Sequence, residues 1–274
     1  MTVLLLLACA GGSPDSAPDS APADTVTDSG MTEREVPLDG ACTADTRLGG
    51  FALTLTDQSL FTGYVATAPD PEAAETELAH VSDCFLFSHP PSCEPACEAG
   101  ESCQSGTCVA AAPAMDLGAV TLEGVASPVA VSPTDGRYEQ ALTHPAVVGG
   151  EILSLALPDG VTLWGVGVEP FVLAQPSWEL SPKADTELQW SETSHNVVRS
   201  RMLVTLSTGG TDFIRCDFAD DSRATIPGAL VAELPEGTPT LTMSRRTTDA
   251  DTVGEGCVDL VIEQPQDVPV TLAR

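Results

Sequence analysis

Eight of the nine cysteines lie between positions 42 and 257, and they restrict what this 274-residue chain can fold into more than any other feature. Eight free thiols in one chain would be unusual, whereas an even number suits four disulfides and an oxidising compartment. Cys93, Cys97, Cys103 and Cys108 crowd into sixteen residues, with Gly100 and Gly106 at expected turns. So dense a segment has almost no apolar core and must be held by cross-links, each worth roughly 3 kcal/mol for loops of this size. A zinc site helped by His89 is the rival reading. The spacing C-x3-C-x5-C-x4-C is not the paired C-x2-C of zinc modules, and thiolates outside a cell oxidise. Disulfides are therefore preferred, with three pairings open for the four cysteines. Cys42 and Cys84 bracket a β-rich stretch and are expected to pair. Cys216 shares a strand face with Ile214 and Phe218, while strict alternation places Cys257 opposite Val258 and Leu260. A Cys216–Cys257 bond is still expected, with a bulge bringing the two together.

The N-terminus addresses the chain to the same compartment. Val3 to Leu7 is apolar, and Leu6-Leu7-Ala8-Cys9 resembles a bacterial lipobox, in which a signal peptide is cut before a cysteine that accepts the lipid. Residues 1–8 are read as that signal, truncated at its start, and Cys9 as the lipidation site. The apolar run is short and no Lys or Arg precedes it, since the first basic residue is Arg34. A transmembrane helix would need about 20 apolar residues. Residues 9–40 are rich in Pro, Ser, Ala and Asp and lack aromatic side chains. Such a segment cannot bury enough apolar surface to offset its ordering entropy, so a disordered acidic tether is expected.

Asp and Glu outnumber Lys and Arg by 40 to 11, for a formal charge of -29. That excludes nucleic acid as a partner, because phosphate binding needs clustered cations. Adsorption to anionic head groups is excluded for the same reason. A solvated acidic surface is the plain reading.

The rest of the chain is patterned as β structure. Phe51-Ala-Leu-Thr-Leu-Thr56 alternates, Leu60 to Thr67 follows after a turn at Asp57, and Cys84 to Phe87 reads as a buried strand. Glu72 to His80 is expected to form a short helix. After a linker near 109–114, strands are expected at Val120–Leu122, Val129–Val131, Ile152–Leu157, Val161–Val168, Glu187–Trp190, Val197–Leu206, Asp212–Phe218, Thr240–Ser244 and Val258–Ile262. Ile226 to Leu234 suits one or two helical turns with Pro227 near the start. The expected fold is mostly β. A β-rich domain at 41–133 contains the cysteine-rich module 91–110, and an all-β sandwich spans 134–274.

The module resembles the small EGF-like or growth-factor-binding cysteine modules of secreted proteins. That resemblance implies alternate pairing, Cys93 with Cys103 and Cys97 with Cys108. Further stretches are Cys42-Thr-Ala-Asp-Thr-Arg-Leu-Gly-Gly-Phe51, Asp83-Cys84, Gly106-Thr-Cys-Val109 and Met115-Asp-Leu-Gly-Ala-Val120. With them stand Gly165-Val-Gly-Val-Glu-Pro170, Ile214-Arg-Cys-Asp-Phe218 and Ile226-Pro-Gly-Ala-Leu230. In this order the chain resembles disulfide-bearing surface lipoproteins of myxobacteria and related deltaproteobacteria. The resemblance implies export and a lipid anchor, and implies no activity or ligand.

No enzyme constellation stands out. There is no G-x-S-x-G, H-E-x-x-H or Walker-type motif, and His80, His89, His144 and His195 lack metal-ligand spacing. Asp217, Asp220 and Asp221 form one acidic cluster. Asp249, Asp251 and Glu255 form another and are weak calcium candidates. Of Trp164, Trp178 and Trp190, Trp190 is expected in the core, and Trp178 is expected to be exposed as a possible glycan contact. No other cofactor is expected. These observations favour a non-catalytic, lipid-anchored protein of the cell envelope, at the outer membrane or cell surface. Its partners are expected to be the membrane itself and envelope proteins or glycans. A calcium- or glycan-binding module is the alternative, and a secreted hydrolase comes third.

Overall fold

The computed structural model describes residues 38–69, 75–89, 93–98, 101–104, 106–193 and 200–273. Cys9, the signal and nearly all of the tether lie outside the described residues, as do His195, Val198 and Arg199. Among the described residues no helix is long and apolar enough to cross a membrane.

The protein is mostly β. Its largest sheet has nine strands, in the order β3 (Thr76–Val81), β4 (Cys84–Ser88), β15 (Asp212–Ala219), β14 (Arg201–Ser207), β17 (Thr240–Val253), β18 (Gly256–Val268), β1 (Arg47–Thr54), β2 (Leu60–Val65) and β9 (Arg137–Ala141). A four-stranded sheet runs β11 (Thr162–Val166), β10 (Ile152–Ala156), β7 (Val120–Glu123), β8 (Val129–Val131). Among the described residues three two-stranded pieces complete the set: β12 (Trp178–Leu180) with β19 (Val270–Leu272), β13 (Thr186–Gln189) with β16 (Arg223–Ile226), and β5 (Glu101–Gln104) with β6 (Thr107–Ala110). The helix α1 covers Gly228–Val231 and follows Pro227, as expected.

The two-residue period sets the layers. Phe51 and Leu53 on β1, Phe61 and Val65 on β2, and Leu260 and Ile262 on β18 are buried on one face of the large sheet. They share a core with Val120 and Leu122 of β7, Leu153 and Leu155 of β10, and Leu163 of β11. The other half of the same face builds a second core. There Leu86, Met202, Val204, Leu206, Ile214 and Met243 meet Trp178, Leu180, Leu188, Trp190, Ile226 and Leu230. The described residues belong to one compact unit. The expected boundary at 133/134 does not divide it, because strands from both sides of that position alternate in the nine-stranded sheet.

Two local expectations are corrected. The segment expected as a helix over 72–80 contains the edge strand β3 over its described part, where pairing with β4 outweighs a weak local helix preference. The strands expected at Thr240–Ser244 and Val258–Ile262 are longer and form one hairpin, β17–β18. β18 runs through Pro265, which lies beyond the last residue paired with β1, so its missing N–H interrupts no ladder.

All eight cysteines from Cys42 onward are bonded, and two pairings differ from expectation. Cys42 joins Cys257, and Cys84 joins Cys216. Side-chain direction decides this. Cys84 and Cys216 are direct neighbours across β4 and β15 and both point into the second core. Cys257 alternates with buried Val258 and Leu260, so it faces the other side of the sheet from Cys216 and no Cys216–Cys257 bond forms. It lies beside the chain entering β1, where the Cys257 N–H donates to the Thr46 carbonyl at 2.8 Å. In the module, Cys93 joins Cys103 and Cys97 joins Cys108 around the β5–β6 hairpin.

Candidate functional site

The acidic residues singled out in the sequence do not converge. Asp217 lies on the outer face of β15, where it pairs with Arg201 at 2.7 Å and Arg246 at 2.9 Å. Asp220 is turned inward and Asp221 is exposed. In the second cluster Asp249 is buried, whereas Asp251 and Glu255 are exposed around the β17–β18 turn. Among the described residues, the one group of three metal-ligating side chains with ligand atoms within 4.8 Å of each other is Cys93, Cys97 and Cys108, all disulfide-bonded. The calcium candidates thus separate along the hairpin: Asp249 is enclosed between the sheets, while Asp251 and Glu255 stand in solvent at its end.

The tryptophan expectation is half corrected. Trp190 is in the core, and its indole N–H donates to Asp220 Oδ1 at 2.7 Å. Trp178 is also in the core, with its indole N–H donating to the Glu187 carbonyl at 3.1 Å. The strand β12 that carries it pairs with β19, whose Val270 and Leu272 pack against the second core.

What the sequence reading missed is a polar seam between the two cores. Five alternate residues of β17, Leu241, Met243, Arg245, Thr247 and Asp249, are all buried. The first two are apolar and the last three are not. Arg245 is 0% exposed. Its Nε lies 2.7 Å from Asp220 Oδ2 but off the hydrogen-bonding axis, so the hydrogen bonds come from the Nη groups. Nη2 donates to Asp220 Oδ1 at 3.2 Å and to the Ser191 carbonyl at 2.7 Å, and Nη1 donates to the Glu169 carbonyl at 3.2 Å. Asp220 also accepts from Ser200 Oγ at 2.8 Å. The Phe171 ring lies under the guanidinium, 5.6 Å away. Charge, donors and acceptors are thus largely satisfied within the protein, which is what permits an ion pair there.

Thr247 and Asp249 serve β11, the edge strand of the four-stranded sheet. Thr247 Oγ1 donates to the Val166 carbonyl at 2.8 Å and accepts from its N–H at 3.3 Å. Asp249 Oδ2 accepts the Trp164 N–H at 2.7 Å, and Oδ1 accepts the Asp39 N–H at 2.9 Å. Gly165 lets the strands approach this closely, since a Cβ there would lie 2.7 Å from Ile262. Burial pushes the Asp249 carboxyl above its usual pKa, and Asp39 adds to this, while the backbone donors oppose it. The signal for this seam is the run Ser244-Arg-Arg-Thr-Thr-Asp-Ala-Asp251, which is polar at every position of a strand except Ala250.

The surface with the most distinctive chemistry lies at the β3–β4–β15 end of the large sheet. On its outer face the rings of His80, Phe85, Phe87, Phe213 and His89 follow one another at centroid distances of 5.7, 5.8, 5.8 and 4.4 Å. Arg215 lies over Phe87 and Phe213 and is held by both carboxylate oxygens of Glu75. His80 sits 3.0 Å from Glu77, and His89 sits 4.0 Å from Glu75. His144 is exposed and far from this row in sequence.

No protein-family model matches the chain, and no curated protein matches it.

Proposed function

We propose that this is an extracytoplasmic protein of the cell envelope, held to a membrane by a lipid on Cys9, which acts without catalysis by binding or structural display. The observation that carries the reading is the set of four disulfides. A disulfide-rich β protein is consistent with an oxidising compartment outside the cytoplasm. The lipobox-like Leu6-Leu7-Ala8-Cys9 and the order of motifs shared with the lipoproteins described above support the anchor. A β-sandwich description of the fold is supported by the core that the nine-stranded and four-stranded sheets share. The non-catalytic reading draws on the chemistry of the buried polar seam. Arg245, Asp220 and Thr247 are enclosed, and their hydrogen bonds go to the protein's own backbone and side chains.

The anchor is tested by detergent phase separation. The wild-type protein is expected in the detergent phase and Cys9→Ser in the aqueous phase. Retention of the variant with the membranes would count against lipidation. Partner capture by cross-linking on intact cells, with the captured protein identified by mass spectrometry, tests the binding role.

A further inference from the structure

We infer that the free edge of β3 and the cleft beneath it form a docking site for an extended, basic segment of another protein, added to the large sheet as a further strand. The inference deepens the non-catalytic binding reading and rests on it. β3 ends the nine-stranded sheet, and among the described residues no strand pairs with its outer side. Such an edge offers backbone donors and acceptors to an incoming chain, the basis of recognition by strand addition.

The side chains beside the edge favour this use. Leu78 is 52% exposed and Val81 38%, so two of the few large apolar residues left in solvent sit on one six-residue strand. The register with β4 slips between Glu77 and Ala79, so Leu78 has no partner across the ladder. A bulge of this kind re-aims a side chain, and Leu78 lines a cleft of about 390 Å³. Ala79, Val81 and Leu86 supply the sheet side of that cleft, and Ala229 and Leu230 of α1 supply the other. A strand laid along β3 would send alternate side chains into this apolar slot.

Charge identifies the occupant. The ionisable groups lining the cleft are Asp212 and Glu233, both acidic, and Glu77 stands on β3 itself. A second copy of the chain would bring the same acidic edge and a further formal charge of -29. The chain's own residues 1–37 are no better matched, since six carboxylates there face the single cation Arg34. A segment with apolar residues at alternate positions and Lys or Arg between them matches both the slot and its rim.

The test uses the full chain and a fluorescein-labelled Lys-Val-Lys-Val-Lys-Val peptide, with a Glu-Val counterpart, read by anisotropy. Amide exchange across β3 is followed in parallel. The basic peptide is expected to bind saturably, about tenfold or more tighter than the acidic one, and to slow exchange in β3. Leu78→Asp is expected to weaken binding about tenfold while leaving the melting temperature unchanged, because Leu78 is mostly exposed. Glu233→Lys is expected to narrow or reverse the preference between the two peptides. Absence of saturable binding, equal binding by Leu78→Asp, or protection in the free chain of the β3 amides that point away from β4 would each overturn the proposal. Membrane partition reads the anchor and peptide binding reads the edge, so either can fail alone.

Discussion

Arg245 and Asp220 show at the scale of single residues how a buried charge is tolerated. The pair is nearly closed to solvent, and Asp220 collects the Trp190 indole, the Ser200 hydroxyl and the Arg245 guanidinium. Arg245→Met would keep the volume but leave the Asp220 charge buried without its cation. A loss of about 3–5 kcal/mol is expected, read from the urea midpoint at constant slope. Asp249 makes a second prediction. Its folded pKa is raised above the ordinary aspartate value of 3.8, so the folded chain binds this proton more tightly than the unfolded chain does. Its contribution to stability therefore rises as pH falls from neutral through the raised pKa, and levels off below the unfolded pKa of about 3.9. Asp249→Asn removes that titration. Wild type should gain stability relative to the variant as pH falls from neutral toward the unfolded pKa of about 3.9, measured by paired urea melts, and a constant difference would show that Asp249 is not the titrating group. Neither role was legible in the sequence, where Asp249 stood beside Asp251 and Glu255 as a weak calcium candidate and Asp220 stood in an acidic cluster with Asp217 and Asp221.

Among the elements, β17 decides the most. A strand that is polar on both faces is read as exposed, yet its Arg245, Thr247 and Asp249 are buried. Thr247 and Asp249 are polar because they face the edge of β11, whose backbone groups would otherwise be buried without partners, and Arg245 meets Asp220 and the Glu169 and Ser191 carbonyls. Thr247→Val is nearly isosteric but leaves the Val166 N–H and carbonyl without their Thr247 hydroxyl partner. It should cost about 1–3 kcal/mol and speed amide exchange at Val166 more than at Leu155 in the neighbouring strand β10. Equal exchange at both positions would argue against the edge-capping role. Strands with clean alternation, such as β1, β10, β14 and β15, were legible because each buries one face. β3 was not, because an edge strand with a bulge and a mostly solvated face carries no period of two.

For the whole molecule, two disulfides close very long loops. Cys42–Cys257 spans 215 residues and Cys84–Cys216 spans 132, whereas the module's bonds span 10 and 11. By loop-closure entropy each long bond restricts the unfolded chain by about 5 kcal/mol and each short one by about 3 kcal/mol. Cys42→Ser with Cys257→Ser should therefore lower the global urea midpoint clearly. Cys93→Ser with Cys103→Ser should disturb mainly the β5–β6 hairpin, seen as local proteolysis around 93–108 with a smaller shift in global unfolding. The sequence by itself determined that the chain is β-rich, acidic and built to be cross-linked, and it determined which face the cleanly alternating strands bury. Composition and the two-residue period are local properties, so they survive without knowledge of the partner strand. Only the tertiary structure decided that strands from both halves share one sheet, that Cys257 reaches Cys42 and not Cys216, and that a polar strand lies between two cores. Each of those depends on which strand lies next to which, and strand neighbours far apart in the chain are set by the packing of the whole.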